Sequence, residues 1–213
     1  HRSYQRFAWF TLCFCVFVIL WGAFVRATGS GAGCGAHWPT CNGEVLPRPE
    51  HLKMAIEFFH RLTSGLSLLL VVALFVWTLR AFPKASFQRK AATASLIAIV
   101  IEALIGAVLV LMRWVEHDQS LDRAISISFH LVNTLFLLAA LTVTALGPSE
   151  ANPRWRWPVG GRLKVRLVVG GFALLGALGA LTALGDTLFP VTNLAQEFQD
   201  KFSSNAKRHF LQQ

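Results

Sequence analysis

The sequence predicts an all-α integral membrane protein: a four-helix transmembrane bundle, plus a fifth helix that begins a second, similar half. Three observations predict it. Of 213 residues, 54% are hydrophobic and 15% are charged, against roughly 25% charged in soluble domains. The apolar residues fall in long blocks, not in the short alternating runs of strands. Basic residues gather in alternate loops, as they do when loops lie on opposite sides of a membrane.

The first block, Phe7 to Val25, is 19 residues without a charge. As a helix it crosses a bilayer core of about 30 Å. It is too long for a secretory signal, and no small-residue cleavage site follows it. Leu62 to Leu79, Ala91 to Met112, Ala124 to Leu146 and Leu167 to Leu184 are the further spans. Residues 1–150 are read as the four-helix half and residues 151–213 as the start of the second. Gly179-Ala180-Leu181-Thr182-Ala183-Leu184-Gly185 echoes Gly22-Ala23-Phe24-Val25-Arg26-Ala27-Thr28-Gly29 with a one-residue slip. That is how the opening of a parallel repeat would read.

One set of loops holds Arg2, Arg6, Arg80, Lys84, Arg89, Lys90, Arg154, Arg156, Arg162, Lys164 and Arg166, opposed by one acid, Glu150. The remaining basic residues are balanced by acids. Most of the formal charge of +9 therefore lies on one face, expected to be the inner one, with the amino terminus inside. The long loop from Arg26 to Ile56, the connection from Arg113 to Arg123 and the tail after Gly185 are then outside. The cell inner (cytoplasmic) membrane is the expected location, preferred over the mitochondrial inner membrane. The basic balance is a topology signal and implies no nucleic acid: Arg154-Trp155-Arg156-Trp157 reads as an interfacial anchor. The tail from Asn193, with Leu194, Phe198, Phe202 and Phe210, is expected along the outer interface.

Cys13 and Cys15 lie in the first span, where small apolar packing is the default. Cys34 and Cys41 lie in the outer loop and are expected to form a disulfide on an oxidising side. A structural role is favoured over redox chemistry or a substrate adduct.

Polar residues inside a span are costly and point to function. Glu57 and His60, spaced i, i+3, share a helix face. His130 lies six residues past Ala124, roughly 9 Å down at 1.5 Å per residue, in the same outer leaflet as His60. Two imidazoles from neighbouring helices suit axial ligation of a haem iron. Phe58, Phe59, Phe129 and Trp114 are candidate walls, and Arg26 and Arg61 candidate propionate contacts. The bland readings are a histidine bonded to a neighbouring helix and a Glu57 that complements the helix dipole. A bare metal site is the other alternative, because E-x-x-H occurs in di-iron bundles, but those use more carboxylates than this region offers. His37, His51 and His117 read as loop residues. Glu102, alone in the third span, is expected to be a protonated hydrogen-bonding residue between helices or part of a proton route, the former preferred.

Trp21-Gly22-Ala23-Phe24-Val25-Arg26-Ala27-Thr28-Gly29-Ser30-Gly31, then Cys34, Trp38-Pro39, Cys41-Asn42-Gly43 and Pro47, resembles the first outer loop of haem A synthases. Glu57, His60, Arg61 and Gly65 resemble that family's second helix. Gly106-Ala107 with Val110-Leu111 fits the third, and His130 with Asn133 the fourth. The resemblance runs from about residue 7 to about 190. It implies an oxidoreductase that hydroxylates haem O in a haem-dependent way, taking a methyl group to formyl and giving haem A for terminal oxidases. It implies haem O as substrate, held by His60 and His130 with Glu57 catalytic, and a haem b in a second half. Haem O synthase, an electron donor and a second copy of the chain are the implied partners besides the lipid bilayer. The family has eight helices in two halves, so the chain reads as an amino-terminal part, expected to lack the haem b site. The second outer loop lacks cysteines, and Glu102 stands where the family often has a neutral polar residue. A non-catalytic haem-binding electron carrier, and a transporter or structural subunit, remain the other function classes.

Overall fold

The computed structural model describes residues 2–84, 86–115, 118 and 120–146, together with seven helical residues of a fifth segment, Gly170, Gly171, Leu174, Gly176, Leu178, Gly179 and Thr182. Four long helices run through the first part: α1 (Arg2–Ala27), α2 (Leu52–Ala81), α3 (Phe87–Leu111) and α4 (Leu121–Leu146). Each has at least 25 residues and is apolar enough to cross a membrane. No strand occurs among the described residues. The chain is an integral membrane helical bundle.

The first four of the five predicted spans are present. Helix α2 begins at Leu52, five residues before Glu57, which the sequence reads as opening the helix, and ten before the apolar block from Leu62. The apolar run stops at the polar stretch containing Lys53, Glu57, His60 and Arg61, but the helix does not, because the loop above takes up Glu57 and Arg61. His51 caps the helix, its Nδ1 accepting the Met54 N–H at 3.3 Å. Helix α4 likewise begins three residues early, at Leu121.

Consecutive helices alternate in direction and close a ring: α1 packs on α2, α2 on α3, α3 on α4 and α4 on α1. The diagonal pairs do not approach within 8 Å between Cα atoms. Lipid tails supply no hydrophobic drive between helices, so close packing of small residues and hydrogen bonds must hold them together. At the end where α1 begins, this packing is dense. Tyr4, Ala8, Leu12, Cys15, Val71, Leu74, Ala98, Ile99, Leu137, Leu141 and Ala145 form one buried cluster. Buried Thr11, Ser95 and Thr144 return their hydroxyls to their own helices, to the carbonyls of Phe7, Ala91 and Ala140. Tyr4 and Thr78 hydrogen-bond across α1 and α2 at 2.8 Å.

The fifth segment lies against α4. A Cβ on Gly176 would sit 2.5 Å from Leu135 Cδ1, and one on Gly179 3.1 Å from Leu131 Cδ2. Only glycine admits this approach without a shift of those leucines. The remaining residues of the expected span Leu167 to Leu184, the basic stretch 154–166, His117 and the tail from Asn193 lie outside the described residues.

Candidate functional site

The end opposite the dense cluster is closed by the loop between α1 and α2. Cys34 and Cys41 are joined there, with an S–S distance of 1.98 Å. Both are buried with Met54, and Phe58 packs beneath them. Turns with positive φ at Gly35, Asn42 and Gly43 fold the chain back on itself. Cys41 and Glu44 exchange backbone hydrogen bonds at 2.9 and 3.0 Å. At Gly33 an added Cβ would lie 2.6 Å from the Lys53 carbonyl oxygen. The loop therefore rests directly on the first turn of α2.

Glu57 anchors this loop. Its side chain is 3% exposed. Its Oε2 accepts the Cys34 N–H at 2.7 Å, and its Oε1 accepts from Arg61 Nε at 3.0 Å and from the terminal guanidinium at 2.5 Å. Arg61 also donates to the carbonyls of Thr40, at 2.6 Å, and His37. A buried carboxylate is tolerable only when so paired. Glu57 lies in the second turn of α2, and the first turn holds no acid. The dipole effect falls off within the first turn, so the dipole-complementing reading of Glu57 is corrected by the early helix start.

Below the loop lies a polar layer. His60 is eight residues into α2, His130 nine into α4, and Glu102 nine before the end of α3. At 1.5 Å per residue all three lie about 12–14 Å from this end. His60 and His130 belong to the diagonal helices α2 and α4, and their imidazoles are near enough to interact electrostatically. The backbone gap between these helices is the space a ligand held by both would occupy. The dense cluster does not extend into this half.

The donors fit a haem. His60 Nδ1 is buried without a hydrogen-bond partner. Gly22 of α1 lies against the same ring: a Cβ there would come within 2.9 Å of His60 Cε1 and 3.2 Å of Nε2. Among the described residues no group of three or more His, Cys, Asp or Glu side chains gathers to hold a metal ion. A haem brings four equatorial nitrogens of its own and asks the protein only for axial ligands. Two histidines therefore suffice for it, where a bare ion would be under-coordinated.

His130 Nδ1 meets Glu102 Oε2, and Thr134 Oγ1 donates to Glu102 Oε1 at 2.8 Å. One turn further along α3, Asn133 Nδ2 donates to the Ala98 carbonyl at 2.9 Å. Glu102 is thus an interhelical hydrogen-bonding residue, the preferred of its two sequence readings.

The structure brings Glu57, His60, Arg61, Cys34 and Cys41 into one loop-covered layer, with His130 facing it across the bundle. Arg61 is directed at Glu57 and the loop. Arg26 is exposed at the end of α1, electrostatically coupled to Arg123 at the start of α4. Arg123 was missed as a site candidate, although it precedes His130 by seven residues, two turns along one face. Gly22 and Thr134 were also missed. Of the candidate walls, Phe59 packs on Trp21 with ring centroids 4.8 Å apart. Phe129 is 66% exposed, because consecutive residues lie about 100° apart around a helix.

Residues 5–211 match the family model described as cytochrome oxidase assembly protein. The chain belongs to the haem A synthase family of cytochrome oxidase assembly proteins. It is 37% identical over 140 residues to the haem A synthase of Geobacillus kaustophilus, covering 66% of this chain and 44% of that protein. It is 33% identical over 153 residues to the haem A synthase of Halalkalibacterium halodurans, covering 72% of this chain and 50% of that protein. A protohaem IX farnesyltransferase of Thermus thermophilus is 50% identical over 207 residues, 96% of this chain but 34% of its own length. The chain thus spans between about a third and a half of these relatives. No solved structure matches.

Proposed function

We propose that this bundle is the substrate half of a haem A synthase, in which a methyl group of haem O is oxidised to a formyl group. The observation that supports it most is the polar layer itself. Two histidines on diagonal helices sit at one depth, beyond the buried apolar cluster and under a pinned loop. In this reading His60 and His130 would hold the iron of haem O. Arg26, with Arg123 beside it, lies at the mouth where propionates would emerge, and Arg61 contributes there through the loop it holds. The loop end faces outward, as the basic loops at the other end lead one to expect, in the cell inner membrane.

Haem O would be the substrate, and taking its methyl group to formyl removes four electrons, which an external oxidant must accept. The chain's own residues hold the haem, orient it and keep water out. In this reading Glu57, one turn above His60, serves the porphyrin edge by holding or moving a proton. Its contacts favour a second reading, in which Glu57 shapes the site by fixing the loop through Cys34 and Arg61. Glu57→Gln separates them. It keeps the shape and can still accept from Cys34 N–H but leaves Arg61 without its anion. An anchoring role therefore predicts a lower unfolding midpoint and weaker haem binding, with haem A formation falling in step. A proton-handling role predicts haem O bound and haem A formation largely lost.

The farnesyltransferase relative names a different reaction to test, prenylation of protohaem IX, although the chain matches only 34% of its length. The two differ in co-substrate. Membranes containing the chain would be supplied with haem O, or with protohaem IX and farnesyl diphosphate, and the haems extracted and separated. Haem A from the first supports the synthase, and haem O from the second supports the transferase. Protein purified without any Soret absorption, from cells that make haem O, would overturn both and favour a transporter or structural role.

The cysteine pair is proposed as a lasting disulfide of the protein in its membrane. Mass spectrometry after alkylation without reductant should find Cys34 and Cys41 unmodified. Alkylation of both before reduction would contradict it.

A further inference from the structure

Glu102 is a carboxylate in the middle of a transmembrane helix, 25 residues long, whose other residues in that region are apolar. Its side chain is 11% exposed. Such a group is expensive in a membrane and is retained only with a partner. Here the partner is specific. Oε2 lies against His130 Nδ1 across the α3–α4 contact, a charge contact outside hydrogen-bond geometry, and neither atom has a hydrogen-bond partner among the described residues. Oε1 accepts from Thr134 Oγ1, one turn after His130 on the same face of α4. Asn133 adds a second rung to α3 at Ala98. The carboxylate is therefore occupied at both oxygens and held against α4.

We propose that Glu102 is a positioning residue for His130, fixing its tautomer and strengthening it as a ligand, so that the two histidines of the site are unequal. The inference rests on the haem reading given above. With Glu102 ionised, the carboxylate has only acceptor sites, and in the proposed state the hydrogen of this contact is assigned to Nδ1. The neutral imidazole then carries its lone pair on Nε2, the atom free to bind iron. Carboxylate partners of this kind orient metal-binding histidines and raise their basicity, and their loss costs 10–100-fold in affinity or activity in sites of known chemistry. Nδ1 of His60 is likewise buried without a hydrogen-bond partner, but among the described residues no carboxylate lies against it, and its ring rests against Gly22. His130 is the stronger donor and His60 the weaker one.

The rival account is that Glu102 merely ties α3 to α4. Glu102→Gln distinguishes the two, because the amide oxygen still accepts from His130 Nδ1–H and still bridges the helices, while the charge is gone. Glu102→Leu removes both. Each variant, and the intact chain, would be prepared in lipid nanodiscs with 15N-labelled histidine. The first readout uses haem-free protein. One histidine should show the Nδ1-protonated tautomer with a strongly hydrogen-bonded proton, absent in His130→Asn and shifted towards weaker bonding in Glu102→Gln. The second uses iron protoporphyrin IX as the probe. Its reduction potential should be more positive in Glu102→Gln than in the wild type, since a less basic ligand stabilises ferric iron less. Its affinity should fall roughly tenfold or more in Glu102→Leu. A Glu102→Gln protein with wild-type tautomer signal and wild-type potential would show a tie and nothing more, and would overturn the proposal. Failure of the wild-type chain to bind the probe would instead sink the haem reading, and the proposed ligand role with it. The two failures are therefore distinguishable.

Discussion

At the end where α1 begins, the centre of the bundle is filled by Leu74, Leu141, Val71 and the aromatic Tyr4, with small residues between them. At the loop end the same cross-section carries His60, His130 and Glu102, and the nearest buried cluster belongs to the loop, under Cys34 and Cys41. The helices run through both regions without interruption, so backbone propensity does not separate them. The side chains do. One end spends its interior on packing, which fixes the helices relative to one another. The other carries polar groups at matched depth on α2, α3 and α4. A bundle that was packed throughout would be stable and empty of chemistry, and one that was open throughout would have little to hold its histidines at matched depth.

Substitutions can break this contrast, and the largest effect is expected at the lid. Arg61→Ala leaves Glu57 buried beside Cys34 N–H with its cation gone. Breaking a buried pair by removing one partner costs about 3–5 kcal/mol, so thermal unfolding in detergent should shift well down. The double variant Glu57→Ala, Arg61→Ala should recover part of that loss, because no uncompensated charge remains. Leu141→Ala, at the packed end, should cost about 2–5 kcal/mol through the cavity it leaves. The haem spectrum of the surviving folded protein should be unchanged. A shifted spectrum would mean that the two ends are not separable.

Gly22→Ala sharpens the comparison from the other side. A Cβ at Gly22 must push the His60 ring, which lies 2.9 Å away. Crowding of this kind costs about 1–3 kcal/mol, which corresponds to roughly tenfold weaker haem binding with little change in unfolding. Equilibrium titration with iron protoporphyrin IX measures it. The smallest effect is expected for Tyr4→Phe, which removes the buried bond to Thr78. Interhelical hydrogen bonds in membranes average about 0.6 kcal/mol, so a small drop in thermal midpoint and an unaltered site are predicted.

The packed end was the more legible of the two. Long uncharged blocks mark the spans directly, and Phe7 to Val25 lies wholly inside α1. Glu57 to Arg61 could be read as helix from their i, i+3 spacing, but the turn before them, from Leu52, was read as loop, because Lys53 and the polar residues after it break the apolar run. At the site, His60 and His130 could be read from their depth, which depends only on counting residues along each helix. What each one touches could not. Glu102 meets His130 and Thr134, 28 and 32 residues away in sequence, and nothing in either helix's own pattern specifies that register. Arg61 was assigned to propionates because a cation at a membrane edge is generic. Its capture by Glu57 and the loop depends on the fold of residues 34–41, which glycine turns and the cysteine pair create.

The central claim is that the loop end is a haem site held from α2 and α4, and one titration tests it most directly. The wild-type chain, His60→Ala, His130→Ala and the double variant, each in nanodiscs, would be titrated with iron protoporphyrin IX and read by absorption. The wild type should give a six-coordinate low-spin spectrum at one equivalent. His60→Ala should retain the haem more weakly with an altered spin state, His130→Ala should lose more, and the double variant should lose the site. The wild-type spectrum persisting in the double variant, with folding intact in both, would contradict the account.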